Sequence, residues 1–399
     1  MPTQPEGRAS TFSARTLAML LLPLVLLAGV IALFVSTNTA GLAVTPAAPL
    51  ETVQFGRTVL RPGAIELSIR NTSPQAITVA QVNINDAIWP FVITPSHSIP
   101  RLGAATVTLH YPWVEAEAYA ITLFSGSAIA FATDIPVATN TVTATGATLW
   151  SFTLIGLYVG VLPVLLGMLW LPALRQMGPR LMTFLMAATV GLLLYLGLDA
   201  TTEALELGGE LGAAFQGEGL VGIGIVGTWL LLDAIGRRQR AAAGRDEAAQ
   251  RKSLAIGIAV GIGLHNLGEG LAIGAAYAVG AAALGTFLVV GFIIQNITEG
   301  LGIVVPIAKD RPSLRSLVLL GMIGGAPAIV GAWVGGLVYS RPLSVLFLAI
   351  GAGAVLQVAF EIGRNLVWKQ QAARQSPLSA FAGVLTGMLV LYVTGVAIK

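Results

Sequence analysis

Cysteine is absent from the 399 residues, so disulfide frameworks and thiolate zinc sites are excluded, and the chain says nothing of redox compartment. Charge is nearly as scarce. Asp, Glu, Lys and Arg make up 10% of the sequence, against about a quarter in an average soluble domain. That is too little to cover a water-facing surface of this size, which rules out a soluble enzyme, a coiled coil and a disordered tail together. The formal charge of +3 does not point to nucleic acid, because the Lys and Arg residues punctuate apolar segments rather than gathering on one face. What is abundant is hydrophobic sequence, at 55%. The composition therefore predicts a polytopic α-helical membrane protein whose first partner is the lipid bilayer.

Runs almost free of charge and of spanning length recur nine times, over 16–36, 149–174, 181–203, 218–236, 253–274, 281–307, 314–339, 343–363 and 377–398. At 1.5 Å per residue each can cross a hydrocarbon core about 30 Å thick. The first follows a short N-terminus (1–15) with Arg8 and Arg15. Its apolar core of about 20 residues exceeds the roughly 7–15 of a signal peptide, so 16–36 is read as a retained anchor rather than a cleaved leader. Basic residues set the orientation. With the N-terminus in the cytoplasm, sixteen of the 22 Lys and Arg residues fall inside, and four of the other six lie in one long outer segment (Arg57, Arg61, Arg70, Arg101). The expected location is a cell (inner) membrane, multi-pass, with the C-terminus outside.

Residues 41–147 have a different texture. Alternating runs such as Ala64–Arg70 and Ala105–His110, separated by turn signals such as Asn71-Thr72-Ser73-Pro74, predict six or so short strands in a small β-sandwich of immunoglobulin-like type. The topology puts it outside the membrane. His97 and His110 fall within it and read as surface or capping groups, since a blue-copper site would require cysteine. The basic, Ala-rich stretch 237–252 reads as a solvated cytoplasmic loop.

Two of the membrane segments carry nearly the same heptad. One is His265-Asn266-Leu267-Gly268-Glu269-Gly270-Leu271, the other Gln295-Asn296-Ile297-Thr298-Glu299-Gly300-Leu301. At i and i+4, His265 and Glu269 share a helix face, as do Gln295 and Glu299. An ionisable group at the bilayer centre costs about 2.5–3.5 kcal/mol, so two glutamates placed there mark a pathway or site rather than a clasp between helices, which Ser, Thr or Asn would make more cheaply. Imidazole nitrogen with carboxylate oxygens suits zinc and its first-row neighbours. With His265 neutral, the two glutamates cancel the charge of one divalent cation.

This pair of heptads resembles the fourth- and fifth-helix signatures of the ZIP family of divalent-metal transporters, especially its bacterial branch, where His-Asn-x-Pro-Glu-Gly and Gln-Asn-x-Pro-Glu-Gly stand. The resemblance covers about 148–399 as eight helices with both ends outside; the anchor and the 41–147 domain are additions. It implies a central metal site of His265, Glu269, Gln295 and Glu299, with Asn266 and Asn296 beside it. It also implies that Asp199 and Glu203 attract cations at the entrance and that Glu361 serves the cytoplasmic exit. No catalytic cofactor is implied. Zn²⁺, or Fe²⁺, Mn²⁺ or Cd²⁺, is the transported substrate, moved toward the cytoplasm by alternating access. A homodimer is one assembly compatible with this reading.

The sequence departs from the family pattern in two ways. Gly268 and Thr298 replace the motif prolines; glycine permits a bend, and threonine can bond back to the i−4 carbonyl. Bacterial relatives with two adjacent metals use a sixth-helix glutamate before a proline, and here the place reads Gly324-Gly325-Ala326-Pro327, with no Asp or Glu between Asp310 and Glu361. Two ions would bring +4 against two carboxylates, so one tightly held ion per chain is expected. Two other functions use the same residues. An intramembrane metal-dependent hydrolase would need a base beyond its ligands, and a metal sensor would signal through the β-domain without transport.

Overall fold

The computed structural model describes residues 14–36, 51–141, 143–211, 213–244, 246–278, 282–338, 340–373 and 378–398. The first expected membrane segment is a helix, α1 (Ala14–Ser36), 23 residues long and belonging to a unit of its own.

A two-sheet β-sandwich follows: β1 (Val53–Arg61), β2 (Ala64–Asn71), β3 (Ile77–Ile84), β4 (Ala87–Ile88), β5 (Phe91–Thr94), β6 (Ser98–Ile99), β7 (Ala104–Leu109), β8 (Tyr119–Ser125) and β9 (Ala130–Ile135). One sheet has the order β1-β2-β7-β5 and the other β4-β3-β8-β9, with β6 beside β3. The alternation seen in the sequence buries one face of the longer strands, Ile65, Leu67 and Ile69 from β2 packing with Val107, Leu109, Ile121 and Leu123. There are more strands than the six or so expected, because β4 and β6 are two residues each, too short to leave an alternating pattern. At the turn after β2, the buried Asn71 side chain accepts from Ser73 N (2.8 Å) and donates to the carbonyls of Gln75 (2.7 Å) and Ile99 (2.8 Å). That pattern is an Asx turn tied into the neighbouring loop.

Eight spans long and apolar enough to cross a membrane follow among the described residues. The first, Gly146–Leu174, comprises α2 (Gly146–Gly156), a π-helical turn (Leu157–Val161), α3 (Leu162–Met168) and α4 (Leu171–Leu174). Then come α5 (Pro179–Gly209), α6 (Gly217–Ala243), α7 (Glu247–Ala278) and α8 (Ala282–Val304). The sixth span is split into α9 (Leu314–Gly325) and α10 (Pro327–Leu337), where Pro327 cannot continue the hydrogen-bond ladder, and α11 (Arg341–Ala373) and α12 (Leu378–Ile398) complete the set.

The stretch 237–252, expected as a loop, is instead helical on both sides of a sharp turn at Gly244 (φ +57°). Its alanines favour helix, and Arg237 pairs with Asp233 one turn back at 2.8 Å, which lets α6 run on past the apolar part.

The spans pack as two groups. The helices α2–α4, α7, α8, α9 and α10 hold one another, and α5, α6, α11 and α12 form the second group, the two meeting chiefly along α7 and α11. Small residues let backbones touch inside the first group. A Cβ on Gly270 of α7 would lie 2.1 Å from the Ala328 carbonyl of α10, and one on Gly300 of α8 would lie 2.0 Å from that of Val164 on α3. Both glycines directly follow a heptad glutamate, so close packing fixes the turns that carry Glu269 and Glu299.

Candidate metal centre

Helices α7 and α8 run unbroken through Gly268 and Thr298. The Thr298 hydroxyl donates to the Gln295 carbonyl at 2.6 Å, three residues back rather than the four expected. His265, Glu269, Asn266, Asn296 and Glu299 are all buried and Gln295 half-buried. The structure brings the ligating atoms of His265, Glu269 and Glu299 within 4.8 Å of one another, and this is the one such grouping of three among the described residues. His265 Nε2 lies 3.5 Å from Glu269 Oε1. That is close to the edge of a tetrahedron with bonds of about 2.0–2.2 Å, roughly 3.4 Å.

Four amide hydrogen bonds arrange the remaining groups. Gln295 Nε2 donates to Glu269 Oε1 (2.5 Å) and stands 3.4 Å from His265 Nε2. Asn296 Nδ2 donates both to Glu269 Oε2 (2.9 Å) and to the Val159 carbonyl (3.0 Å), within the π-helical turn. Asn266 Nδ2 donates to the Gly324 carbonyl (3.0 Å), next to the break between α9 and α10. Both asparagines thus use their N–H groups on backbone acceptors exposed where a neighbouring helix departs from regular geometry. Sequence reasoning placed these asparagines at the site but not their partners. A π turn has no simple composition signal, whereas Pro327 did mark the second irregularity.

The oxygens tell the other half. Glu269 has a donor on each oxygen, but Glu299 Oε1, Glu299 Oε2, Asn266 Oδ1 and Asn296 Oδ1 are buried without a hydrogen-bond partner. An unpaired buried acceptor costs roughly 1–3 kcal/mol, and more when charged. Four acceptor oxygens gathered in one cluster form a set that a cation completes.

The wider pathway residues divide between two cavities. A cavity of about 40 Å³ is lined by Asp199 and Glu203 of α5, by His265 and Glu269 of α7, by Gln295 of α8 and by Gly351 of α11, and so joins the two expected entrance carboxylates to the central cluster. It lies between the two helix groups, toward the end that bears the β-sandwich. A second cavity of about 560 Å³ lies at the opposite end and includes Glu361, together with Arg240, Glu247, Arg251 and Lys309. On α7, which lines both cavities, the intervening turns are apolar and bury Ile258 and Ile262, which pack in one cluster with Val190 and Leu193 of α5, Ile303 of α8 and Val355 and Val358 of α11; α5 and α11 also bury one polar side chain each in this stretch, Thr189 and Gln357. The cluster therefore borders the narrow cavity, and apolar turns of α7 stand between it and the wide one. His97 and His110 take no part in it; the ring of His97 packs against Phe91 at 5.6 Å and the carbonyl of His110 accepts from Trp89.

Residues 233–395 match the protein-family model of the ZIP zinc transporters. The match includes all six residues of the central cluster and begins within α6, so the earlier spans, α1 and the β-sandwich lie outside it. The match spans 163 of the 399 residues. Among curated proteins none matches the chain.

Proposed function

We propose that this ZIP-family region carries a divalent cation, zinc foremost, with iron or manganese as the alternatives, toward the cytoplasm by alternating access. The observation that carries the reading is Glu299. It is only 3% exposed, both its oxygens lack a partner, and it sits against a second glutamate and an imidazole. In a low-dielectric setting two carboxylates together favour a divalent ion that neutralises them.

His265, Glu269 and Glu299 are assigned as the principal ligands. Asn266 and Asn296 offer their free oxygens beside them, and Gln295, which now holds Glu269, can present its oxygen by turning its amide. Asp199 and Glu203 gather cations at the entrance. Glu361 lines the exit cavity. The apolar layer of Val190, Ile258, Ile262, Ile303 and Val358 closes the exit side, so the conformation described loads from the sandwich end. Alternating access requires that layer to part as the two helix groups move against each other. With Ala326 in place of a carboxylate, the site holds one ion per chain.

The test is zinc uptake by proteoliposomes containing a zinc-sensitive dye. The transporter reading expects saturable uptake by the wild type. Tight zinc binding without uptake would favour a sensor and contradict transport.

A further inference from the structure

Two glutamates in the membrane spans stand in opposite conditions. Glu299 has both oxygens open, whereas Glu361 has both engaged. Arg240 Nη1 donates to Glu361 Oε1, and Gln357 Nε2 donates to Oε2 at 3.2 Å. Arg240 reaches across from α6, one turn beyond Gly236, where a Cβ would lie 3.2 Å from both Arg240 Nη1 and Glu361 Oε2. The arginine also has a second anion nearby, Asp233 Oδ1 at 3.9 Å. Arg240 and Glu361 both line the 560 Å³ cavity.

We propose that Arg240 is a tethered counter-cation that occupies Glu361, so that the exit cavity passes divalent ions without retaining them. This rests on the transporter reading. Arg240 and Glu361 both belong to the group of helices that lacks the metal cluster, so their pairing does not tie the two groups together; it neutralises rather than locks. With Arg240 in place, the charged side chains lining the cavity are Arg240, Arg251 and Lys309 with Glu247 and Glu361, and Arg251 is itself held by Asp310 at 2.6 Å, so both arginines have carboxylate partners. An ion arriving from the central site therefore meets no free carboxylate on Glu361. Without the arginine, Glu361 would present Oε1 free, with Oε2 still accepting from the Gln357 amide, in a cavity wide enough for a hydrated ion. Removing one member of this half-buried pair leaves the other without its counter-charge. The imposed gradient still sets net flux; the pair governs how long an ion lingers.

Purified full-length wild type and Arg240→Gln, loaded with zinc and desalted into zinc-free buffer, provide the comparison by elemental analysis. The same proteins in dye-filled liposomes report uptake. Arg240→Gln should retain one more zinc per chain than the wild type and take up zinc several-fold more slowly. In Arg240→Gln/Glu361→Gln the additional ion should be gone. Equal zinc retention by the wild type and Arg240→Gln would overturn the proposal. Should Arg240→Gln fail to fold, Glu361→Gln carries the test, since its released arginine still has Asp233 as a partner. It should retain as many ions as the wild type, and one fewer would show Glu361 to be an ion ligand already, contrary to the proposal. A wild type that neither retains nor moves zinc would instead sink the transporter reading, so the two failures are separable.

Discussion

The two cavities that flank the apolar layer differ in size and charge in opposite senses. The one toward the sandwich end is about 40 Å³, and its ionisable lining is Asp199, Glu203, Glu269 and His265, with no lysine or arginine. The one at the other end is about 560 Å³, and its carboxylates share the lining with Arg240, Arg251 and Lys309. A narrow acidic space desolvates and holds a cation, whereas a wide mixed-charge space leaves it hydrated and free to go. On the proposed transporter reading, the contrast teaches that capture and release are built from different residues on the same helices. Along α7, three turns separate Leu254 in the wide cavity from His265 in the narrow one, and the side chains between are apolar.

The largest effect should come from breaking the capturing side at its centre. Glu299→Gln or Glu269→Gln removes one of the two charges that balance the ion and should weaken zinc binding by about 100-fold or more, at least about 2.7 kcal/mol, with the protein still folded. Calorimetric titration alongside circular dichroism measures both quantities.

Next is the seal. Because the chain lacks cysteine, Ile258→Cys provides a lone thiol within the apolar layer. A membrane-impermeant maleimide applied from the wide-cavity end should label it slowly without zinc and markedly faster during transport. Equal rates in both conditions would mean that the layer does not open.

A smaller change is expected from the entrance. Asp199→Asn and Glu203→Gln leave the central ligands in place, so each should slow uptake about 2–10-fold at low ionic strength, an effect that shrinks as salt screens the charges. The number of zinc ions retained should be unaltered. Acidity should act on the capturing side as well. Its ligands bind only when deprotonated, so zinc affinity should fall as pH drops from about 8 to 5, the range in which an unperturbed imidazole gains its proton. A flat profile would argue against a site built from His265 and carboxylates.

Much of this contrast was readable in the sequence, for identifiable reasons. The heptads on α7 and α8 stood out because ionisable groups are costly in apolar runs, and the i, i+4 spacing placed His265 with Glu269 and Gln295 with Glu299 before any coordinates. Asp199 and Glu203, also one turn apart, proved to line the same cavity as His265. The rest depended on long-range contacts that no periodicity encodes. Asn296 and Gln295 spend N–H groups on Glu269 and on the Val159 carbonyl. The pairing of Glu361 joins residues 121 positions apart, and nothing local to either announces it. The stretch 237–252 departs from the expected loop because its alanines and the i, i+4 pairing of Asp233 with Arg237 favour helix, whereas its arginines carry only an orientation signal.

The central claim is that one divalent ion, held by Glu299 with Glu269 and His265, is the cargo. It is tested most directly by counting zinc per chain in the desalted full-length protein, its Glu299→Gln variant and its Ala326→Glu variant. The account predicts one ion in the wild type, none in Glu299→Gln, and two in Ala326→Glu, where the added carboxylate supplies the charge a second ion lacks. Two tightly held ions in the wild type, or an undiminished count in Glu299→Gln, would contradict it.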